Sequence, residues 1–170
     1  MRIFLTVLCL TLVPSVTLAA TKNTAPKQIG KYGDWTAFVM TQNGRKVCYM
    51  ASFPKKKEGK YTKRGDVYAL VTHRPRENSF NVVSLQAGYP FSEGATVIAT
   101  IDGKQHKLFA EAETAWAPRG SDKPLTTAMS RGANMIVTGT SRRGTKTKDT
   151  YSLKGSLQAL RAINKACGTR

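Results

Sequence analysis

This sequence contains few histidines and few acidic residues, and that scarcity limits the chemistry it can support. Its 170 residues include two histidines, His73 and His106, and ten aspartates or glutamates. Two histidines and two distant cysteines do not have the spacing of a zinc site, so we expect no metal and no cofactor. No serine lies in a Gly-x-Ser-x-Gly elbow, and no glycine-rich phosphate cradle is present. We therefore expect that the protein is not an enzyme.

The few titratable residues each have a structural interpretation that we prefer. His73 lies at the end of a predicted strand beside Arg74, and His106 lies in a predicted hairpin strand, so we expect both at the surface. Glu111 and Glu113 stand two apart and would share one face of a strand. Without an opposing nucleophile or base they predict a solvated edge.

Long apolar runs are also rare, and the longest one opens the chain. A positive start precedes the apolar run from Ile3 to Leu18, and Ala19-Ala20 end it. This order is typical of a secretory signal peptide, with cleavage after Ala20 or, as the alternative, after Ala19. Pro14-Ser15 interrupt the run, whereas a membrane span needs about 20 apolar residues. We expect residues 1–20 to be removed, no transmembrane anchor to remain, and the mature protein to be periplasmic or secreted.

Cysteine is equally sparse. Cys9 lies within the apolar run and would leave with the signal peptide, so Cys48 and Cys167 remain. Because an exported protein meets an oxidising compartment, we expect these two to form one disulfide, with two separate buried thiols as the alternative. The bridge would close a loop of roughly 120 residues, for which the chain-entropy model gives about 4–5 kcal/mol.

Acidic residues are too few to balance the basic ones. Once Arg2 leaves with the signal peptide, 26 lysines and arginines remain against 10 acidic residues, a net charge of +16. A field of one sign attracts polyanions. Candidate partners are anionic envelope lipid, lipopolysaccharide, acidic host glycans and nucleic acid. Tyr61 stands alone among the lysines, which argues against single-stranded nucleic acid because that binding mode needs several stacking aromatics.

The basic residues are clustered in segments that we expect to be turns or loops. A cluster is often only a solvated face, but several in one small domain favour a surface that binds anions. The candidate anion-binding residues are Lys55, Lys56, Lys57, Lys60, Arg142 and Arg143.

Alternating β-branched and aromatic residues predict strands along most of the chain. Asn43-Gly44 and Asp102-Gly103 each separate two such segments, which is a strong hairpin signal. These patterns predict an all-β fold, an antiparallel β-sandwich with a short C-terminal helix. We expect a flexible lead-in at residues 21–31 and one domain over residues 32–170.

Two segments have helical character. Leu157, Leu160, Ile163 and Cys167 lie at helical spacing, with Ser156 as the expected N-cap and Gly168 after the last turn, and residues 125–132 have the composition of a short helical turn. Trp35 and Trp116 are large enough to anchor a ligand. In a small sandwich tryptophan usually packs in the core, and we expect that here.

Three segments carry a family resemblance: Tyr32-Gly33-Asp34-Trp35-Thr36, Val47-Cys48-Tyr49-Met50 and residues 151–160. They resemble the invasion-associated locus B family, exported proteins of α-proteobacteria, over roughly residues 31–168. The resemblance implies an all-β domain, export and an association with host-cell entry in some pathogens, and it supplies no catalytic motif. Many members place another cysteine shortly after the tryptophan. Residues 38–40 contain none here, so the disulfide pairing of those members does not transfer.

The sequence thus predicts a non-enzymatic binding protein whose basic loops contact an anionic envelope or host-surface component. One alternative is a hydrolase of envelope material, which would have a pocket with convergent titratable groups. Another is a structural or chaperone-like envelope protein, which would bind partners along an uncovered strand edge. The oligomeric state is left open.

Overall fold

The structure is a computed structural model that describes residues 22–169. The predicted signal peptide and Cys9 lie outside these residues. The described part contains eleven strands, two α-helices and a 3-10 turn at Pro75–Glu77. The strands are β1 (Lys27–Tyr32), β2 (Trp35–Gln42), β3 (Arg45–Ser52), β4 (Lys56–Gly59), β5 (Tyr68–Arg74), β6 (Ser79–Gln86), β7 (Thr96–Ile101), β8 (Lys104–Glu111), β9 (Thr114–Trp116), β10 (Asn134–Thr140) and β11 (Lys146–Ser152); the helices are α1 (Asp122–Arg131) and α2 (Ser156–Cys167).

The strands form one antiparallel sheet in the order β1-β2-β3-β5-β6-β9-β8-β7-β10-β11-β4. The sheet curls back on itself, so that β2 and β11 approach each other. Trp35 Nε1 at the start of β2 donates to the Ser152 carbonyl at the end of β11, at 3.0 Å. Buried side chains from both halves of the sheet and from both helices form one core cluster. The predicted all-β, antiparallel fold with a C-terminal helix is confirmed.

Turn residues define the two predicted hairpins. Asn43 and Gly44 both have positive φ, 50° and 73°, which is the backbone of the tight turns that match strand twist. Asp102-Gly103 joins β7 to β8 in the same way. Trp35 is fully buried, as predicted, whereas Trp116 is half-buried.

Two predicted loops are strands instead. Residues 27–31 of the expected lead-in belong to β1, which pairs with β2 and places Ile29 and Tyr32 against the core. Residues 56–59 of the expected lysine loop form β4, which pairs with β11 at the sheet edge. Both strands lack apolar alternation. An edge strand can form without it, because its backbone hydrogen bonds stabilise it and charged side chains are tolerated there.

Both helices differ in detail from the sequence prediction. Helix α1 begins at Asp122, earlier than expected, because its Oδ1 accepts the Val83 amide of β6 at 2.9 Å. Pro124 is tolerated because it lies in the first turn, where its missing amide is not needed. In α2 the N-cap is Gly155, and the Ser156 hydroxyl instead donates to the Met129 carbonyl of α1 at 2.8 Å.

The predicted disulfide between Cys48 and Cys167 is present. It joins β3 to the last residue of α2, with 6.0 Å between the Cα atoms and 119 positions between them in sequence. Cys48 is fully buried and Cys167 nearly so. The bridge therefore fixes the C-terminal helix to the inner face of the first strands.

His73, which we expected at the surface, is fully buried between β5 and α2. Its Nδ1 accepts the Asn81 amide at 2.9 Å, so Nε2 carries the proton and donates to Asn164 Oδ1 at 2.7 Å. Asn164 lies 91 positions from His73 in the sequence and Asn81 lies eight positions away on the next strand, so the neighbouring Arg74 did not indicate either partner. Burial lowers the pKa of His73, although the hydrogen bond to Asn164 opposes this effect. His106 is half-buried, and burial lowers its pKa too.

The burial of neutral His73 predicts a loss of stability in mild acid. Because its pKa is lower folded than unfolded, the unfolded chain takes up the proton first, so stability falls as pH drops from about 6.5 towards the folded pKa. We expect a slope approaching about 1.4 kcal/mol per pH unit for one proton. Urea denaturation of wild type, His73→Gln and His106→Gln between pH 7.5 and 5 measures it. The slope should fall in His73→Gln to the smaller contribution of His106 and largely persist in His106→Gln; equal slopes in all three proteins would contradict the assignment.

Candidate anion-binding cleft

A basic cleft forms where three connections of the sheet meet. The connections are residues 60–67 between β4 and β5, residues 87–95 between β6 and β7, and residues 141–145 between β10 and β11. The cleft has a volume of about 660 Å³. Its charged lining residues are Lys60, Lys63, Arg64, Arg142, Arg143 and Glu113.

The backbone brings two of these connections into close contact. The Gly65 amide donates to the Gly88 carbonyl at 2.8 Å. Gly88 has φ of +70°, and a Cβ there would lie 2.5 Å from the Gly65 carbonyl oxygen. Only glycine allows both that conformation and that approach. The third connection is held in place by the Arg142 amide, which donates to the Pro90 carbonyl at 2.8 Å.

Arg64 is the buried anchor of the cleft. Its guanidinium makes two hydrogen bonds to Asp149, at 2.7 and 2.6 Å, and its Nε donates to the Ala87 carbonyl at 2.7 Å. It also lies 5.4 Å from the ring centre of Tyr61 and 5.1 Å from that of Tyr89. Burial opposes its charge, but the bonds to Asp149 outweigh this and raise the pKa of Arg64. Since Asp149 neutralises it, Arg64 organises the cleft without adding free charge.

Four other cations give the cleft its charge: Lys60, Lys63, Arg142 and Arg143. All four are exposed, and within residues 22–169 none forms an ion pair. The carboxylate that lines the same cleft, Glu113, accepts a hydrogen bond from Gln86 Nε2 at 3.1 Å. The cleft therefore combines four free positive charges with one negative charge, and its net field is positive.

The structure divides the predicted anion-binding residues into two groups. Lys60, Arg142 and Arg143 come together in the cleft, although 82 positions separate Lys60 from Arg142. Lys55, Lys56 and Lys57 lie elsewhere. Of these three, Lys55 pairs with Asp34 and Lys56 pairs with Glu58 at 3.0 Å, so their charge is partly neutralised. Lys57 lies exposed on β4.

Sequence reasoning missed the residues that shape the cleft rather than charge it. Tyr89 lines it, and its hydroxyl lies 2.6 Å from Thr147 Oγ1, an arrangement with no local sequence signal. Tyr61, the aromatic that stood alone among lysines, contacts the Arg64 guanidinium. Glu111 and Glu113 are exposed as expected, but they do not share a strand, because β8 ends at Glu111 and Glu113 lies in the following turn.

Between residues 22 and 169, no three histidines, cysteines or carboxylates lie close enough to hold a metal ion. No helix in this part of the chain is long and apolar enough to cross a membrane.

Comparison with known families decides the relationship. A family model described as "Invasion associated locus B (IalB) protein" matches residues 35–164, from the start of β2 into α2. The chain belongs to the invasion-associated locus B family. This family is not known for an enzymatic activity. The match includes every residue that charges the cleft.

A solved structure supports the fold assigned to this family member. The chain is similar to the crystal structure of invasion associated protein B from Bartonella henselae, with a TM-score of 0.53 and 16% sequence identity. The superposition covers 84% of this chain and 99% of the other. At this identity the likeness establishes the fold alone. No curated protein sequence matches the chain.

Proposed function

We propose that this protein is a non-enzymatic binding protein, exported to the periplasm or the cell exterior, whose basic cleft binds an anionic envelope or host-surface component. The observation that carries the proposal is the convergence of four unpaired cations from two distant segments on one concave site. Lipopolysaccharide, anionic envelope lipid and acidic host glycans all present the phosphate, carboxylate or sulfate groups that such a site attracts. The invasion-associated locus B relationship is compatible with all three.

The cleft supports binding better than hydrolysis. A hydrolytic site needs an acid and a base or nucleophile that converge on one bond. In the part of the cleft that the structure describes, Glu113 is the sole carboxylate, and it is bonded to Gln86. The strand-edge alternative is also less favoured. The described sheet ends in two edge strands, β1 and β4, and both carry exposed lysines, with Lys56, Lys57 and Glu58 on β4. Charged edges disfavour the pairing of another strand.

Removing two cleft charges should weaken binding at low salt. We expect Arg142→Gln/Arg143→Gln to bind lipopolysaccharide or anionic vesicles about 30-fold less tightly, since each basic residue near an anionic surface contributes about 1 kcal/mol. Both side chains are exposed, so folding should not change. Retention on heparin and on immobilised lipopolysaccharide, measured over a salt series, quantifies the loss.

A matched control separates the cleft from the overall charge. Arg131→Gln/Arg161→Gln removes the same two charges from exposed positions on α1 and α2, outside the cleft lining. This control should keep most of the retention. Equal losses in both double variants would show that net charge alone causes retention, and the proposal would then fail.

A further inference from the structure

A second large concavity lies on the outer face of the sheet, separate from the basic cleft. It has a volume of about 740 Å³ and is lined by alternate residues of β2, β3 and β5. The opposite face of the same strands contacts α2 through Cys48 and the core. The lining side chains therefore point away from the core because strand residues alternate between faces. We call this concavity the outer-face groove.

The floor of the outer-face groove is aromatic and aliphatic. Phe38 and Tyr49 stack with 5.0 Å between ring centres, and Met40 and Leu70 lie beside them in the lining. At one end Phe53 is 68% exposed, the most exposed large apolar side chain in residues 22–169. Thr36, Gln42 and Thr72 are polar members of the same lining, so the groove offers an apolar ligand an aromatic and aliphatic floor between polar side chains.

The kind of ligand follows from the backbone beneath the groove. Strands β2, β3 and β5 each pair with a neighbour on both sides. A bound peptide would find no free backbone groups there, and its own amides would be left without partners against an apolar floor. A hydrocarbon chain has no polar groups to satisfy. From Thr36 to Gln42 the floor extends roughly 20 Å at strand rise, enough for one acyl chain, which spans half of a bilayer core of ~30 Å.

Charge at one end of the groove indicates the head group. Lys31 and Lys55 line that end together with Asp34, which pairs with Lys55. Lys31 is exposed and, in the described chain, forms no ion pair. The end with Phe53 thus carries a net positive charge. At the other end Arg74 lies 3.9 Å from Glu77, a carboxylate that also pairs with Arg45 at 3.7 Å.

We propose that the outer-face groove binds the hydrocarbon chain of a single-chain anionic amphiphile taken up from solution, with the anionic head group beside Lys31 and the chain lying over Phe38, Tyr49 and Leu70. The volume of about 740 Å³ is within the range of ligand sites for small molecules. This site is independent of the basic cleft, so either one can fail without the other.

Calorimetric titration with decanoate, below its micelle concentration, tests the site. Wild type should bind, and Phe53→Ser should bind about tenfold more weakly because the Phe53 ring would no longer cover the hydrocarbon chain of decanoate. Phe109→Ser is the matched control, since Phe109 is the other exposed phenylalanine of the described chain and lies outside the groove. It should bind like wild type. Both rings are exposed, so neither change threatens folding.

Two further variants test the binding of the ligand's hydrocarbon chain and of its head group separately. Ala51→Leu adds a side chain to the floor on the central strand β3, opposite Thr36, and should hinder decanoate, with near-ultraviolet circular dichroism confirming that the fold is kept. Lys31→Gln should weaken decanoate severalfold while leaving neutral decyl maltoside unchanged.

Four results would overturn the proposal. The first is no binding of decanoate by wild type, and the second is an equal loss in Phe53→Ser and Phe109→Ser. The third is binding to anionic vesicles without binding to decanoate, which would indicate a membrane surface instead. The fourth is a dimer, seen by light scattering, that dissociates in Phe53→Ser, which would make the groove an interface between two copies of the chain.

Discussion

Removing the disulfide with Cys48→Ala/Cys167→Ala is expected to lower the free energy of unfolding by about 5 kcal/mol. The bridge spans 119 positions. In the chain-entropy description its main effect is on the unfolded chain, which gains freedom when so long a loop is opened. For a domain of this size, a loss of this magnitude lowers the melting temperature by about 15 °C. Guanidinium denaturation followed by fluorescence of the buried Trp35 measures it.

Reduction of the wild-type protein provides the control for this prediction. Alanine removes two buried sulfur atoms as well as the bridge, and the reduced protein loses the bridge alone. The difference between the two therefore measures the packing contribution of the sulfurs. Thiol labelling of natively purified protein, after unfolding in guanidinium without reductant, should find no free thiol at Cys48 or Cys167. Two free thiols, or identical denaturation curves before and after reduction, would contradict the assignment.

The parts of the fold that follow from local chemistry were predictable from the sequence. Asn43-Gly44 and Asp102-Gly103 define their hairpins because a two-residue turn needs positive φ whatever surrounds it. The helix before Gly168 ends where predicted, since glycine adopts the left-handed conformation required after the last turn. The disulfide was predictable for a different reason, because two cysteines allow only one intramolecular pairing.

The elements that were missed depend on distant partners. Strand β4 is a run of charged residues that becomes a strand because β11, about 90 positions later, offers its edge. His73 is buried because α2 covers it and Asn164 Oδ1 accepts a hydrogen bond from its Nε2. Neither partner influences the pattern of residues near the missed element. The local alternation of apolar residues therefore predicts neither strand β4 nor the burial of His73, although it does predict the central strands.

The basic residues of the candidate cleft were predictable from the sequence, but their assembly was not, for the same reason. Each basic cluster was visible in the sequence, but the sheet order alone brings Lys60 to Arg142 and separates both from Lys55. The aromatic rings of Tyr61 and Tyr89 around Arg64 could not be predicted, because the three belong to two different connections. An anionic ligand stays a prediction from charge, and topology determines where the basic residues meet.

Asp149→Asn is expected to lower the free energy of unfolding by about 3–5 kcal/mol, the usual cost of removing one partner from a buried ion pair. The Arg64 and Asp149 side chains are each only 4% exposed, so the guanidinium would stay out of water without a counter-charge. Lys56→Gln is the control, because its pair with Glu58 is largely exposed and surface pairs contribute about 0–1 kcal/mol. Urea denaturation of both variants at pH 7 makes the comparison.

A double-mutant cycle with Arg64→Met shows where that cost arises. If Asp149→Asn is destabilising because it leaves a buried charge unpaired, Arg64→Met should also be destabilising, and Arg64→Met/Asp149→Leu should regain much of the loss. The regain will be incomplete, since Arg64 also bonds the Ala87 carbonyl and contacts two aromatic rings. Additive losses would instead mean that each side chain stabilises the fold separately. In that case Arg64 holds the cleft together through Ala87, Tyr61 and Tyr89 rather than through its carboxylate.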